Sequence, residues 1–333
     1  MSKMQSINEF DIVFISYDEP NADENYNDLI NKAPWAKRSH GVFGSDAAHK
    51  AAADLAETDR FITIDADNIV KEDFFGVEID MSKIRGSEVI SWAGKNEING
   101  LVYGNGGIKC WPKHVIERMR THEAAPEDNA AAQVDFCWNI NYRQMNNVYS
   151  HVYNNSSPLQ AWRAGFREGC KMTLEAGDVV DQTRIKQIHR KNYQRLLTWM
   201  SVGADAQNGI WAMYGARLGC SMTNLHRDEW DWRNVRDFEW LNQYWRDSVA
   251  PQYESAHTLY HERCEKTGYT WDRVALEADI DLIGHELRSA LDLDIGDLSP
   301  QDSKFFKAVY INPARVAPMA HEDEVINEIG TNK

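Results

Sequence analysis

The sequence predicts an α/β lobe followed by a mostly helical lobe, on three observations. Residues 10–65 run strand, helix, strand, the repeating unit of a parallel sheet. After Pro158 the pattern changes to apolar residues at i, i+3, i+4 and i+7, the helical period. Finally, 333 residues with 43% hydrophobic content and 12 Trp supply enough apolar surface for two packed cores or one large one. The expected division is residues 8–157 for the sheet lobe and 158–325 for the helical lobe.

The elements follow in order. "FDIVFISYDEP" (10–20) reads as a strand closed by a Pro turn. "GSDAAHKAAADLAETD" (44–59) reads as an Ala-rich helix capped by Ser45 or Asp46. "RFITID" is the next strand, and "GSEVISWAG" (86–94) and "GLVYGNGGIKCWP" (100–112) are further strand-like pieces. "PKHVIERMRTHE" (112–123) predicts a helix and "VYSHVYNNSS" (148–157) the last strand of the lobe. Beyond Pro158, helices are expected over "PLQAWRAGFREGCKMTLEAG", "TRIKQIHRKNYQRLLTWMSVG", "AQNGIWAMYGARLG", "DFEWLNQYWRDSV", 251–267 and 271–291.

Composition narrows the function classes. No apolar run is long enough to span a bilayer, and "MSKMQSINEF" lacks the apolar core of a signal peptide. The five Cys (110, 137, 170, 220, 264) form no C-x-x-C pair, which predicts reduced thiols rather than a zinc or disulfide framework. A net charge of −15 disfavours nonspecific adhesion to polyanions. That charge is unevenly spread. Residues 158–200 carry eight Lys/Arg against four acids, and 271–300 carry eight acids against two Arg.

"FITIDADNIV" (61–70) is the most informative stretch. On an extended backbone Asp65 and Asp67 share a face, about 7 Å apart along the strand. In an open parallel sheet, ligands bind outside the carboxyl ends of the strands, and both Asp sit at such an end. Ser16, Tyr17, Asp18 and Glu19 close the first strand in the same way. A hard divalent cation takes oxygen ligands and leaves room for substrate phosphates. The alternative is a polar turn in which Asp67-Asn68 caps the succeeding segment. "YGNGGIKCWPK" (103–113) packs three Gly and an Asn into five residues, a pattern expected of a loop built around a ligand. It is neither a P-loop nor a dinucleotide fingerprint, so an NAD enzyme is disfavoured.

Together, "FDIVFISYDEPNADENY", "AKRSHGVFGSDAAHKAA", "FITIDADN", "YGNGGIKCW", "SSPLQAWRAGFREGCKM" and "VGADAQNGIWAMYGARLG" resemble, in order over roughly residues 8–245, GT-A fold glycosyltransferases of tailed bacteriophages. Some of that group glycosylate 5-hydroxymethylpyrimidines such as hydroxymethylcytosine in phage DNA, with glucose, arabinose or related sugars. The resemblance implies a nucleotide-sugar-binding lobe, a UDP-sugar donor, a hydroxymethylpyrimidine acceptor and the cytoplasm of an infected host. It implies Mn²⁺ or Mg²⁺ held by Asp65 and Asp67. His151 is the implied third ligand, with a structural His as its alternative and His189 and His226 as substitutes. Ser16, Tyr17 and Asp18 would lie near base and ribose, and Arg38, His40 and Gly41 would line the donor pocket. Arg38 and Lys37 read equally as surface charges. Gly106 and Gly107 would form the ligand loop.

An inverting transferase needs a carboxylate base, and Glu127, Asp128 and Asp135 are candidates. Asp135 is preferred because its apolar neighbours in "AQVDFCWN" would raise its pKa, although a strand or helix terminus explains it nearly as well. A retaining enzyme needs no such base, and the sequence leaves the anomeric outcome, the sugar and the oligomeric state open. Arg163, Arg167, Arg184, Arg190 and Lys191 are the candidate DNA contacts, on a basic segment within an anionic protein. A cleft enzyme reaching a base in duplex DNA would need it flipped out. Two rival readings stand beside this one: sugar transfer to a protein, glycan or small molecule, and a catalytically silent acidic binding protein.

Overall fold

The structure is a computed structural model that describes residues 3–103, 106–126, 136–137, 139–175, 177–254, 261–263, 270–310 and 326–328. The first half runs β1 (Met4–Ser6), β2 (Asp11–Ser16), α1 (Ala22–Lys32), β3 (Lys37–His40), α2 (Ser45–Leu55), β4 (Arg60–Asp65), β5 (Asn68–Val70), β6 (Val77–Asp80), β7 (Glu88–Asn96), β8 (Val102–Tyr103), β9 (Ile108–Pro112), α3 (Lys113–Ile116) and β10 (Asn141–Val152). The main sheet has the order β3-β2-β4-β9-β7-β10-β5, with β8 against β7. Strands β2, β3 and β4 are mutually parallel, as are β7 and β10, whereas β9 and β5 run antiparallel to their neighbours. The parallel sheet expected from the sequence is therefore a mixed one.

Alternation along the central strands explains the layers. Ile12, Phe14, Ile62 and Ile64 bury on one face with Ala22 and Leu29 of α1. Val13 and Phe61 bury on the other with Ala52 and Ala53 of α2 and Val115 and Ile116 of α3. The chain leaves β2 toward β3 on one side and returns past it to β4 on the other. The strand order thus reverses at the carboxyl ends of β2 and β4, the position at which open α/β sheets bind ligands.

Helices follow: α4 (Pro158–Lys171), α5 (Arg190–Ser201), α6 (Gly209–Asn224), α7 (Phe238–Tyr244), α8 (Ala250–Tyr253), α9 (Arg273–Leu291) and α10 (Pro300–Val309). Ser157 caps α4 by accepting from the Gln160 amide, and Pro158 occupies its first turn. Gly165 and Gly169 of α4 meet Gly215 and Gly219 of α6 in reciprocal pairs. A Cβ on Gly165 would lie 1.9 Å from the Ala212 carbonyl oxygen, and one on Gly215 2.2 Å from that of Trp162. Four small residues spaced four apart thus let two backbones touch, and Trp162, Phe166, Trp199 and Trp211 fill the core around them.

Three local expectations are corrected. Residues 112–123 form only the short α3, because the chain turns off to serve α2. Thr121 donates its amide to Asp46 Oδ1, and the Glu123 carboxylate accepts from the amides of Ser45 (2.7 Å) and Asp46. The cap of α2 is therefore Glu123, not Ser45 or Asp46, with Gly44 at φ 88° preceding the helix. Within 251–267, α8 ends at Tyr253, and His261–Arg263 pairs antiparallel with Thr270–Asp272. Cys110, Cys137, Cys170 and Cys220 are buried, and burial pushes the Cys110 thiol up to about 11. No helix among the described residues is long and apolar enough to cross a membrane.

Candidate functional site

The Asp65-Ala66-Asp67 turn is held by its backbone from three sides. The Asp65 amide donates to the Gly107 carbonyl (3.1 Å), the Ala66 carbonyl accepts from buried Asn25 of α1 (2.8 Å), and the Asp67 carbonyl accepts from the Tyr153 amide (2.7 Å). Asn21 extends the clamp by donating to the Tyr153 carbonyl. Because the main chain is satisfied by neighbours, both carboxylates are left to project from a fixed frame. The Asp67 carboxylate accepts from the adjacent Asn68 side chain, and no ion pair forms at Asp65 or Asp67 among the described residues. Preorganisation of this kind is what a ligand site needs.

Glu19, at the end of β2, joins them. Burial, with the charges of Asp65 and Glu19, pushes the Asp67 carboxyl up to about 7. The Glu19 carboxyl is raised chiefly by burial, with Asp18 and Asp65 adding to it. Like charges crowded at a strand end are unfavourable without a compensating cation. Arg163 of α4 supplies one from the helical half. Burial lowers its pKa, and the charges of Asp18, Glu19 and Asp67 oppose that shift. Its guanidinium stacks 4.7 Å from the Phe238 ring and donates to Asn242. At the rim, exposed Tyr17 and Phe43 meet edge to face at 5.8 Å.

Several expected site residues have other duties. Arg38 donates from Nε to Ser16 Oγ (2.9 Å), pairs with Asp23 (2.7 Å) and lies over Tyr26. Ser16 Oγ in turn meets His40 Nδ1 at 2.9 Å. This chain braces the end of β2 from below, so Arg38 is neither a free surface charge nor an open pocket wall. Lys37 is committed to Asp11 and Glu57. Gly41, at φ 76°, turns the chain beside Ser16, whose carbonyl accepts from its amide.

The glycine loop has a packing reason of its own. A Cβ on Gly106 would fall 2.0 Å from the Gly94 amide nitrogen, and one on Gly107 2.3 Å from Asn68 Nδ2. On the side where a Cβ would project, the space beside both glycines is filled by the protein itself. Gly106→Ala is therefore expected to destabilise the fold by about 1–3 kcal/mol through overpacking, read by urea denaturation. A variant with parental stability and lost activity would favour the ligand-loop reading.

His151 has a protein partner: its Nδ1 meets Glu97 Oε1 at 2.6 Å, which lowers the Glu97 pKa. Among the described residues, no three His, Cys, Asp or Glu side chains are grouped to hold an ion by themselves. His189 instead caps α5 by accepting from the Lys191 amide. His226 pairs with Glu229 and Glu286 beside a cleft lined by Met222, Trp230 and Tyr244. Glu127, Asp128 and Asp135 lie outside the described residues.

The basic segment divides in two. Arg163 and Arg167 both stack on Phe238 rather than lining an open helical face, and Arg167, lowered by burial to about 10, donates to the Val235 carbonyl. Lys171 pairs with Glu168, and Lys186 with Asp292 and Asp294. Arg184, Arg190 and Lys191 remain exposed.

Two polar residues near Asp65 escaped the sequence reading. His49 and Lys109 are 4% and 3% exposed, on α2 and β9, and both lie against Phe136. The charges of Asp65 and Lys109 both act on His49, whose pKa burial lowers. The available signal was polarity inside apolar runs: a His in an Ala-rich helix and a Lys between Ile108 and Cys110.

No protein-family model matches the chain, and no curated protein matches it. Among solved structures, the crystal structure of S. aureus TarS 1-349 in complex with UDP is similar at 10% identity. It covers 79% of this chain and 99% of that one, with a TM-score of 0.25, an overlap too small to bear on fold or function.

Proposed function

We propose that the chain is a glycosyltransferase that takes its sugar from a UDP-sugar, with Asp65 and Asp67 at the centre of the donor site. The observation that carries this reading is the carboxylate pair itself. Among the described residues it has no basic partner in contact, its backbone is fixed from three sides, and it stands where the strand order reverses. A hard ion such as Mn²⁺ or Mg²⁺ suits it, because such an ion draws its remaining oxygens from phosphate and water and needs no all-protein cage. When bound, it would neutralise the charge that develops on the departing diphosphate. Arg163 adds a fixed positive charge on the far wall, and exposed Tyr17 and Phe43 offer flat surfaces for a nucleobase. Asp135 is the proposed base for the acceptor hydroxyl.

The proposed acceptor is a hydroxymethylpyrimidine such as hydroxymethylcytosine in phage DNA, with Arg184, Arg190 and Lys191 as backbone contacts. Transfer to a glycan, protein or small molecule is the second reading. It is favoured by the pairing of Lys171 and Lys186 with acids, which leaves a smaller basic patch. Incubation with Mn²⁺, a UDP-sugar panel and either hydroxymethylated or plain DNA, followed by nucleoside mass analysis, separates them. Replacing the three exposed cations by Gln is expected to reduce the salt slope of DNA binding by about 0.9 for each phosphate no longer neutralised. An unchanged slope removes those residues from the DNA interface, and no modified nucleoside from any donor removes the DNA acceptor.

A further inference from the structure

We propose that His49 and Lys109 form a subsite beside Asp65 that reads one hydroxyl group of the transferred sugar, an inference that rests on the donor reading above. His49 Nδ1 lies 2.8 Å from the Ser45 carbonyl oxygen, one turn back in α2. A carbonyl only accepts, so Nδ1 carries the proton and the neutral ring presents a lone pair at Nε2. That Nε2 is buried and has no protein partner among the described residues. Lys109 projects from β9, where it is paired in register with Thr63 of β4 on one side and Ser91 of β7 on the other. Among the described residues its ammonium meets only the face of Phe136, at 5.0 Å, while the His49 ring lies 5.2 Å from the same ring. Trp111 closes the His49 ring from another side at 5.6 Å, and Trp111 is itself fixed by donating to Thr63 Oγ1 at 2.9 Å.

A buried acceptor and a buried ammonium donor are each costly when unmet. One chemical group satisfies both at once: a hydroxyl, donating to Nε2 and accepting from the ammonium. The diphosphate of a nucleotide-sugar would meet the ammonium but carries no proton for Nε2 at neutral pH, and a second cation would be repelled by Lys109. Their place on the β4–β9 side of Asp65 puts the pair beside the carboxylates proposed to hold the diphosphate end of the donor. A site that hydrogen-bonds a hydroxyl rejects the analogue lacking it far more strongly than an apolar pocket rejects an extra methylene.

The test compares the parent with Lys109→Met, which keeps the aliphatic stem, and His49→Phe, which keeps an aromatic ring against Trp111 and Phe136. Each is assayed for UDP binding by calorimetry, and for hydrolysis or transfer of the preferred UDP-hexose and its monodeoxy forms. The parent should disfavour one monodeoxy donor by at least about 100-fold in kcat/KM. Lys109→Met should bring that ratio to within about tenfold of unity, with the affinity for free UDP changed less than about threefold. An equal loss of UDP affinity would make the pair a phosphate site and overturn the inference. Unchanged discrimination in both variants would mean that they enclose only a structural water, which also overturns it. Should His49→Phe fail to fold, Lys109→Met decides alone. If the parent binds no UDP-sugar, the donor reading falls and this inference with it; if the parent works and discrimination persists, only this inference falls.

Discussion

Asp65→Asn and Asp67→Asn should each fold and lose at least about 100-fold in sugar transfer, because several kcal/mol of charge neutralisation vanish with either ligand and each ~1.4 kcal/mol is tenfold. The structure adds an expectation that a purely structural turn would not meet. Asp65, Asp67 and Glu19 repel one another, and burial already raises the carboxyls of Asp67 and Glu19. In chelator, therefore, neutralising Asp67 should leave thermal stability unchanged or raised, since one repelling charge is gone while its backbone contact to Tyr153 and a side-chain oxygen for Asn68 remain available. With Mn²⁺ and UDP present the order should invert: the parent gains stability by ligand linkage and the variants gain less. Melting curves in chelator and in Mn²⁺ with UDP, alongside transfer rates, check both halves. Variants that melt lower than the parent in chelator and still transfer sugar at parental rates would show the pair to be an ordinary turn.

The chain shows which features a linear reading can reach. The central strands were legible because Phe10–Ser16 and Phe61–Asp65 are largely apolar runs with polar ends, the second closing in a carboxylate, and the position of Asp65 and Asp67 at a strand end followed directly. Strand β3, "KRSH", was not, because its residues are polar and it joins the sheet through backbone pairing with β2 alone. The helix expected over 112–123 failed for a tertiary reason, since Thr121 and Glu123 are drawn away to the start of α2, more than 70 residues earlier. Glycine density at Gly106 and Gly107 has two sources that a sequence does not separate, because a close approach calls for glycine whether the neighbour is a ligand or, on the Cβ side here, Gly94 and Asn68. Charge counting misled at Arg163 and Arg167. A sequence shows eight cations between 158 and 200 but not that two of them face Phe238, one of these within the field of Asp67. His49 and Lys109 come together only through the pairing of β4 with β9, which no local pattern announces.

Arg217→Met should cost about 3–5 kcal/mol of stability, the range for removing one partner of a buried charge network. Arg217 is the one charged residue within α6, "GIWAMYGARLGCSMTN", and its side chain is wholly buried. Its guanidinium joins three separate segments. Nε donates to the Met200 carbonyl (3.0 Å) at the end of α5, Nη1 to the Ile280 carbonyl (2.7 Å) in α9, and Nη2 to the Gly296 carbonyl and Asp297 carboxylate (2.7 Å) beyond it. Arg288 shares Asp297, so the acid is held by two cations. The Met variant keeps the aliphatic stem but leaves the Met200 and Ile280 carbonyls without these donors, each worth about 1–3 kcal/mol when buried. A second substitution isolates the guanidinium. A Cβ on Gly284 would stand 2.3 Å from Arg217 Nη1, so Gly284→Ala should destabilise the parent by displacing that group. In the Arg217→Met background the same alanine meets only the Arg288 guanidinium, at 3.4 Å, and should cost little, giving a coupling of about 1–2 kcal/mol in a double-mutant cycle. Urea denaturation of the four proteins measures it. Strictly additive losses would mean that Gly284 is confined by the α9 backbone and not by Arg217, and that the charged joint between α5, α6 and α9 contributes less than its hydrogen bonds imply.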